Sequence, residues 1–212
     1  SLLADSGANL LVYGMGERAI VEIAQSLDAG VPVETIDYVR GTAYLKATDE
    51  EIGPWLDENN RERPNRVLPD FQTVAQDKKA YASTYALQKR QTDSVSSGRL
   101  LQVHGRETVC VNPPAFPLEE WELDRVYALP YRREAHPLYV EHIPALDEVE
   151  FSVTSYRGCF GDCSFCALTY HQGRSVHSRS HASILAEVTA MTVHPRFKGY
   201  VHDVGGPTAN FR

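Results

Sequence analysis

The spacing of apolar residues changes several times along the chain, and each change marks an element. Asn9-Leu10-Leu11-Val12-Tyr13 is a short apolar run stopped by Gly14-Met15-Gly16-Glu17, the pattern of a buried strand bounded by glycine. Ile20, Val21, Ile23, Ala24 and Leu27 then recur at helical steps until Gly30 and Pro32 close the helix. Thr35–Val39 reads as the next strand. Residues 1–47 therefore predict a βαβ unit, the end of a Rossmann-like domain. Its Gly-x-Gly turn lacks the third glycine of a dinucleotide fingerprint. Spacing alone favours a tight turn that needs glycine for steric reasons.

Residues 48–146 change character twice and predict a linker with a helical part and a proline-rich insertion. The first stretch, 48–66, is polar and reads as a loop. Asp70 is a candidate cap for a helix on which Phe71, Val74, Ala75, Tyr81, Ala82 and Tyr85 form an apolar, aromatic stripe, expected to be a packing face. Leu101–His104 and Glu107–Val111 flank Gly105-Arg106, which fits a type II′ hairpin. Cys110 on that hairpin is expected to be a buried thiol. Six prolines between Pro113 and Pro144, with Trp121, Tyr127, Tyr131 and Tyr139 among them, predict an extended, packed strap with a short helix near 118–127.

From residue 147 the periodicity turns regular again. Val149–Thr154 alternates as a strand, Ile184, Leu185, Val188 and Met191 mark an amphipathic helix capped by Ser180 or Ser183, and Tyr200–Val204 reads as a strand ending at Gly205-Gly206-Pro207. Strand, loop, helix, strand and diglycine turn make the first βαβ of a partial TIM-like barrel, with chemistry expected at the strand ends. The predicted class is α/β.

Composition adds limits. The chain has 212 residues, 42% hydrophobic and 23% charged, enough apolar material for a core, and no run long enough to span a membrane. It opens without Met or a targeting segment, so a longer protein is expected. The net charge of -7 argues against general nucleic-acid binding. Residues 151–212 carry six Lys/Arg against three Asp/Glu, leaving 15 against 25 in the remainder. The last segment is thus locally basic, either a docking field for an acidic ligand or chance in a short segment.

The chemistry concentrates in Cys159-Phe160-Gly161-Asp162-Cys163-Ser164-Phe165-Cys166, which holds three of the four cysteines. Crowded thiolates suit a soft metal centre rather than a disulfide framework, and free thiolates point to a reducing, cytoplasmic setting. Three thiolates on a 4Fe-4S cluster leave one iron open. A zinc site from Cys159, Cys163, Cys166 and His171 and an oxidisable thiol pair are the alternatives. A structural zinc- or iron-binding module is the non-enzymatic reading.

The Cys-x3-Cys-x2-Cys spacing resembles that of the radical S-adenosylmethionine (SAM) enzymes. Arg157–Gly161, Cys163–Cys166, His171–Arg174, Ser178–Ser180 and Asp203–Asn210, with Val12–Glu17, Asn112–Pro114, Leu129–Tyr131 and His136-Pro137 upstream, are similar to the YgiQ-type radical SAM proteins. The resemblance implies that Cys159, Cys163 and Cys166 ligate a 4Fe-4S cluster, that Phe165 meets the SAM adenine, and that Gly205 and Gly206 meet its amino group. Pro207 stands where such turns usually carry Glu. Arg157, His171, Arg174 and Arg179 become candidates for the SAM carboxylate or the cluster's surroundings. A 5′-deoxyadenosyl radical would abstract hydrogen from an unknown substrate, with electrons from a flavodoxin or ferredoxin. The Gly14–Glu17 turn resembles that of a cobalamin-binding-like domain, but the cobalamin-ligating Asp-x-His-x-x-Gly motif does not occur here. Residues 147–212 would be the start of the radical SAM core, too little of the barrel to cleave SAM alone.

Overall fold

A computed structural model describes residues 2–207. The chain divides into two compact units. The first runs to Pro117 and also takes Thr169–Arg174; the second comprises Leu118–Leu168 and the chain from Ser175. The changeover at Pro117 falls inside the stretch read from the sequence as a linker. Both units mix helices and strands, and the expected α/β class holds at that level.

In the first unit α1 (Leu2–Ser6), β1 (Leu10–Val12) and α2 (Glu17–Asp28) lead into β2 (Thr42–Ala47), then β3 (Trp55–Leu56), β4 (Glu62–Arg63) and β5 (Arg66–Val67). Helices α3 (Phe71–Gln76) and α4 (Lys78–Arg90) precede the hairpin of β6 (Leu100–His104) and β7 (Glu107–Val111). The main sheet has the order β1-β2-β7-β6-β5. Only β5 and β6 pair in parallel, and Leu10 faces Tyr44 in an antiparallel β1–β2 ladder.

This pairing corrects the expected Rossmann-like βαβ unit, because the strand read at Thr35–Val39 does not form. Val33–Thr35 is a 3-10 turn, and Ile36 and Val39 enter the core with Ala19 and Ile23 of α2 from irregular backbone. The physical cause is Asn112. Its buried Nδ2 donates to the Asp37 and Val39 carbonyls at 3.0 and 2.9 Å, and Arg99 donates to the Asp37 carbonyl at 3.0 Å. Backbone groups that a neighbouring strand would satisfy are met by side chains instead.

Two further expectations change. The helix read from Phe71 to Tyr85 is broken at Asp77, which caps α4 by accepting from Lys79 N as Asp70 caps α3 from Thr73 N. Tyr81 and Tyr85 are exposed, so the aromatic stripe is not a core face. The strap carries Tyr131, Tyr139 and Val140 in the open rather than as a packed face, and its Arg133 donates to the Glu150 and Ser152 carbonyls at 2.9 and 3.3 Å. The hairpin, its positive-φ Gly105 and the buried Cys110 follow the reading of the sequence.

The second unit holds α5 (Glu120–Tyr127), α6 (Pro144–Val149), β8 (Ser152–Thr154), β9 (Tyr156–Arg157), β10 (His177–Ser178), α8 (His181–Thr192) and β11 (Asp203–Gly205); α7 (Leu168–Gln172) crosses the boundary at Thr169. Ser180 is the cap of α8, accepting from Ser183 N at 3.1 Å. Strands β8 and β11 pair in parallel with α8 between them. Phe151, Val153 and Met191 form the core of this βαβ unit, with Phe197 edge-on to Phe151 at 5.2 Å. Among the described residues no helix is long and apolar enough to cross a membrane.

Candidate functional site

The cysteine loop leaves the carboxyl end of β8 and is closed at its base by β9 and β10, whose pairing sets Arg157 opposite His177 and Tyr156 opposite Ser178. Gly158 begins the loop with φ +91°, and a Cβ there would fall 1.9 Å from the Ser175 carbonyl oxygen. No other residue can make this turn. Cys159 follows, buried, with its sulfur 3.3 Å from the Gly161 amide. Asp162 takes a left-handed conformation at φ 49° and turns the chain towards exposed Cys163. The Cys166 amide donates to the Cys163 carbonyl at 3.1 Å.

Gly161 is the meeting point of two thiols. The position of a Cβ on this residue lies 3.4 Å from Cys159 Sγ and 3.7 Å from Cys163 Sγ. Both sulfurs therefore line a space kept clear by the missing side chain, and the donors are soft, which fits an iron–sulfur cluster or zinc. Among the described residues no three His, Cys, Asp or Glu side chains close into a metal-gripping group, and no disulfide joins any of the four cysteines. Phe165 is 90% exposed beside them, its ring open to a ligand.

The diglycine turn packs beside the same loop base. A Cβ on Gly206 would meet Cε2 and Cζ of buried Tyr156 at 2.6 Å. The Gly205 carbonyl accepts from Ser155 N at 2.7 Å and extends the β8–β11 ladder. One of its two lone pairs is thus already engaged. Asn210, the end of the resembled turn motif, lies outside the described residues.

The basic residues singled out in the sequence have different surroundings. Arg179 is 1% exposed; it donates to Glu187, to the Thr154 carbonyl at 2.9 Å and to Ser183 Oγ, and its guanidinium stacks on Tyr127 at 4.2 Å. It braces α8 against β8 and has no face left for a cofactor carboxylate. Arg133 reaches the other Glu187 oxygen. Arg157 donates to the Tyr127 hydroxyl at 3.1 Å, at the loop base. Arg174 lies 3.5 Å from Thr92 Oγ1 and, like His171, belongs to the first unit.

Tyr127, Tyr156, Gly158 and Gly161 were missed as contributors. The two glycines had a signal, since each adjoins or separates cysteines in a loop too short for ordinary backbone. The tyrosines had none, because their partners are distant in sequence. A separate cavity of about 660 Å³ in this unit is lined by α5, the strap and α8, Asp124, Tyr127, Glu187 and Met191 among them, and by none of the cysteines.

Fold and loop together define a mixed α/β protein that leads into a thiol-bearing βαβ unit. Comparison with known proteins is consistent with that order: the family described as Radical SAM N-terminal matches residues 1–152. The chain belongs to this family, as its resemblance to the YgiQ-type radical SAM proteins implied. It is 47% identical over its whole length to a UPF0313 protein of Clostridium botulinum (strain ATCC 19397 / Type A), covering 32% of that protein. It is 48% identical to a UPF0313 protein of Clostridium perfringens (strain ATCC 13124), covering 31%. The chain thus spans about a third of the length of these curated relatives. No solved structure matches it.

Proposed function

We propose that the protein of which this chain is part is a radical SAM enzyme whose cluster is held by Cys159, Cys163 and Cys166. The observation that carries this reading is the convergence of the Cys159 and Cys163 sulfurs over Gly161, on a loop at the carboxyl end of parallel strand β8. Barrels place their chemistry at that end of their strands. Strands β8 and β11 with α8 are read as the first unit of such a barrel, within residues 147–212.

When bound, a 4Fe-4S cluster and SAM supply one-electron cleavage of a SAM carbon–sulfur bond, giving methionine and a 5′-deoxyadenosyl radical that takes a hydrogen atom from substrate. The chain's own part is placement. Three thiolates leave one iron free for a ligand. Exposed Phe165 offers a ring face for adenine stacking, and the free lone pair of the Gly205 carbonyl with the backbone of Gly206 offers acceptors for the SAM ammonium. The substrate and the electron donor, a reduced flavodoxin or ferredoxin, belong to this reading, as does a reducing compartment such as the cytoplasm. Anaerobic reconstitution of the full-length protein tests it, with iron and sulfide analysis and a search for 5′-deoxyadenosine. Stoichiometric zinc with neither sulfide nor product would favour a structural module instead.

A further inference from the structure

The residues that follow the last cysteine of the loop are held by the first unit. Thr169–Arg174 belongs to that unit and touches it at three separated places. The Tyr170 hydroxyl donates to the Tyr85 hydroxyl of α4 at 2.8 Å, and the two rings lie 5.9 Å apart, tilted by 44°. The His171 carbonyl oxygen packs over Gly14, whose φ is +70° and whose Cβ, were there one, would stand 3.4 Å from it. Arg174 Nε meets Thr92 Oγ1 at 3.5 Å. Thr169 itself is buried, and its carbonyl accepts from Gly173 N at 3.1 Å to end the short helix.

We propose that Tyr85 and the Gly14 turn are positioning elements for the cysteine loop, acting through Tyr170 and the His171 backbone. The proposal rests on the reading of Cys159, Cys163 and Cys166 as cluster ligands. Only Ala167 and Leu168 separate Cys166 from the anchored segment. A loop that must be ordered before its thiolates can grip iron loses backbone freedom on binding. Seating its exit in advance removes part of that loss and keeps the third thiolate near the position it takes when ligating. This gives the glycine turn after β1 a role that needs no nucleotide.

The test uses the full-length protein and its Tyr85→Ala, Tyr85→Phe and Tyr170→Phe variants. In the metal-free state, amide hydrogen exchange across 163–174 should quicken in Tyr85→Ala while the β2–β7–β6 amides stay protected. After reconstitution, iron loss to a chelator should be about tenfold faster in Tyr85→Ala, the size expected when a residue supporting a metal ligand is removed. Tyr85→Phe keeps the ring and should fall between. Should Tyr85→Ala lose protection throughout the sheet, Tyr170→Phe carries the test, since it removes one hydroxyl and should shift both readings in the same direction by less. Wild-type protein that retains no iron sinks the cluster reading and this role with it. Retained iron with unchanged exchange and chelation in the variants overturns the positioning role alone.

Discussion

Tyr156 and Gly206 are in contact so close that only glycine fits: a Cβ on Gly206 would stand 2.6 Å from two carbons of the tyrosine ring. Tyr156 is buried and begins the strand that enters the cysteine loop. The diglycine turn and the loop base are therefore one packed object. Gly206→Ala must displace the ring, at a cost of about 1–3 kcal/mol typical of overpacking. Its unfolding midpoint should fall, and pairing it with Tyr156→Leu should recover part of the loss, as coupled neighbours do. Additive effects in denaturant titrations would show that the two residues do not press on each other.

Gly158 and Gly161 make a paired contrast. Gly158→Ala meets both a left-handed φ of +91° and a backbone oxygen at 1.9 Å, so a loss of about 3 kcal/mol or more is expected. Gly161→Ala places its methyl at ordinary contact distance, 3.4 and 3.7 Å from the two sulfurs. Its melting temperature should match the wild type while its iron content after reconstitution falls. Equal iron content in Gly161→Ala and wild type would show that the space over Gly161 is not needed.

Asn112 replaces a strand partner for the Asp37–Val39 backbone. Asn112→Ala removes one buried donor from each carbonyl, while Arg99 still reaches Asp37 and Thr42 Oγ1 still reaches Val39; a loss of about 2 kcal/mol is expected from the two hydrogen bonds. Urea unfolding of the first unit checks this.

Asp57 gives the first unit an acid limb. Its carboxylate accepts from the backbone amides of Arg61 and Asn59, each at 2.9 Å, and from Arg61 and Arg63 side chains. Led by the Arg61 amide, these contacts lower its pKa from 3.8 to about 2. The folded form binds this proton more weakly, so the stabilisation is complete above pH 3.8 and is lost as pH falls through about 2. Asp57→Asn should be less stable than wild type at neutral pH, with the difference shrinking over that window. A constant difference in urea midpoints down to pH 2 would contradict the assignment.

Legibility in the sequence followed the range of the forces involved. Helix α2, the β6–β7 hairpin with Gly105, the Ser180 cap and the β8–α8–β11 order rest on local periodicity and turn chemistry, and all could be read. The missing strand at Thr35–Val39 could not, because its cause is a side chain 73 residues away. Asp77 was legible in principle as a second helix cap, but the apolar spacing running across it concealed the break. Arg179 looked like a cofactor ligand in a basic loop; only its contacts with Glu187 and Tyr127 reveal a buried brace. At the site, the cysteine spacing marked the donors proposed for the cluster, while the clearance at Gly161 and the seating of Tyr156 under Gly206 depend on backbone geometry that spacing does not encode.

As proposed, the loop from Cys159 to Cys166 holds a three-thiolate cluster with one iron open to SAM. Electron paramagnetic resonance of the anaerobically reduced full-length protein, recorded before and after adding SAM, tests it most directly. The expected result is a 4Fe-4S signal that shifts on SAM addition and is lost in Cys159→Ala, Cys163→Ala and Cys166→Ala. A signal indifferent to SAM, or one that survives all three substitutions, would contradict it.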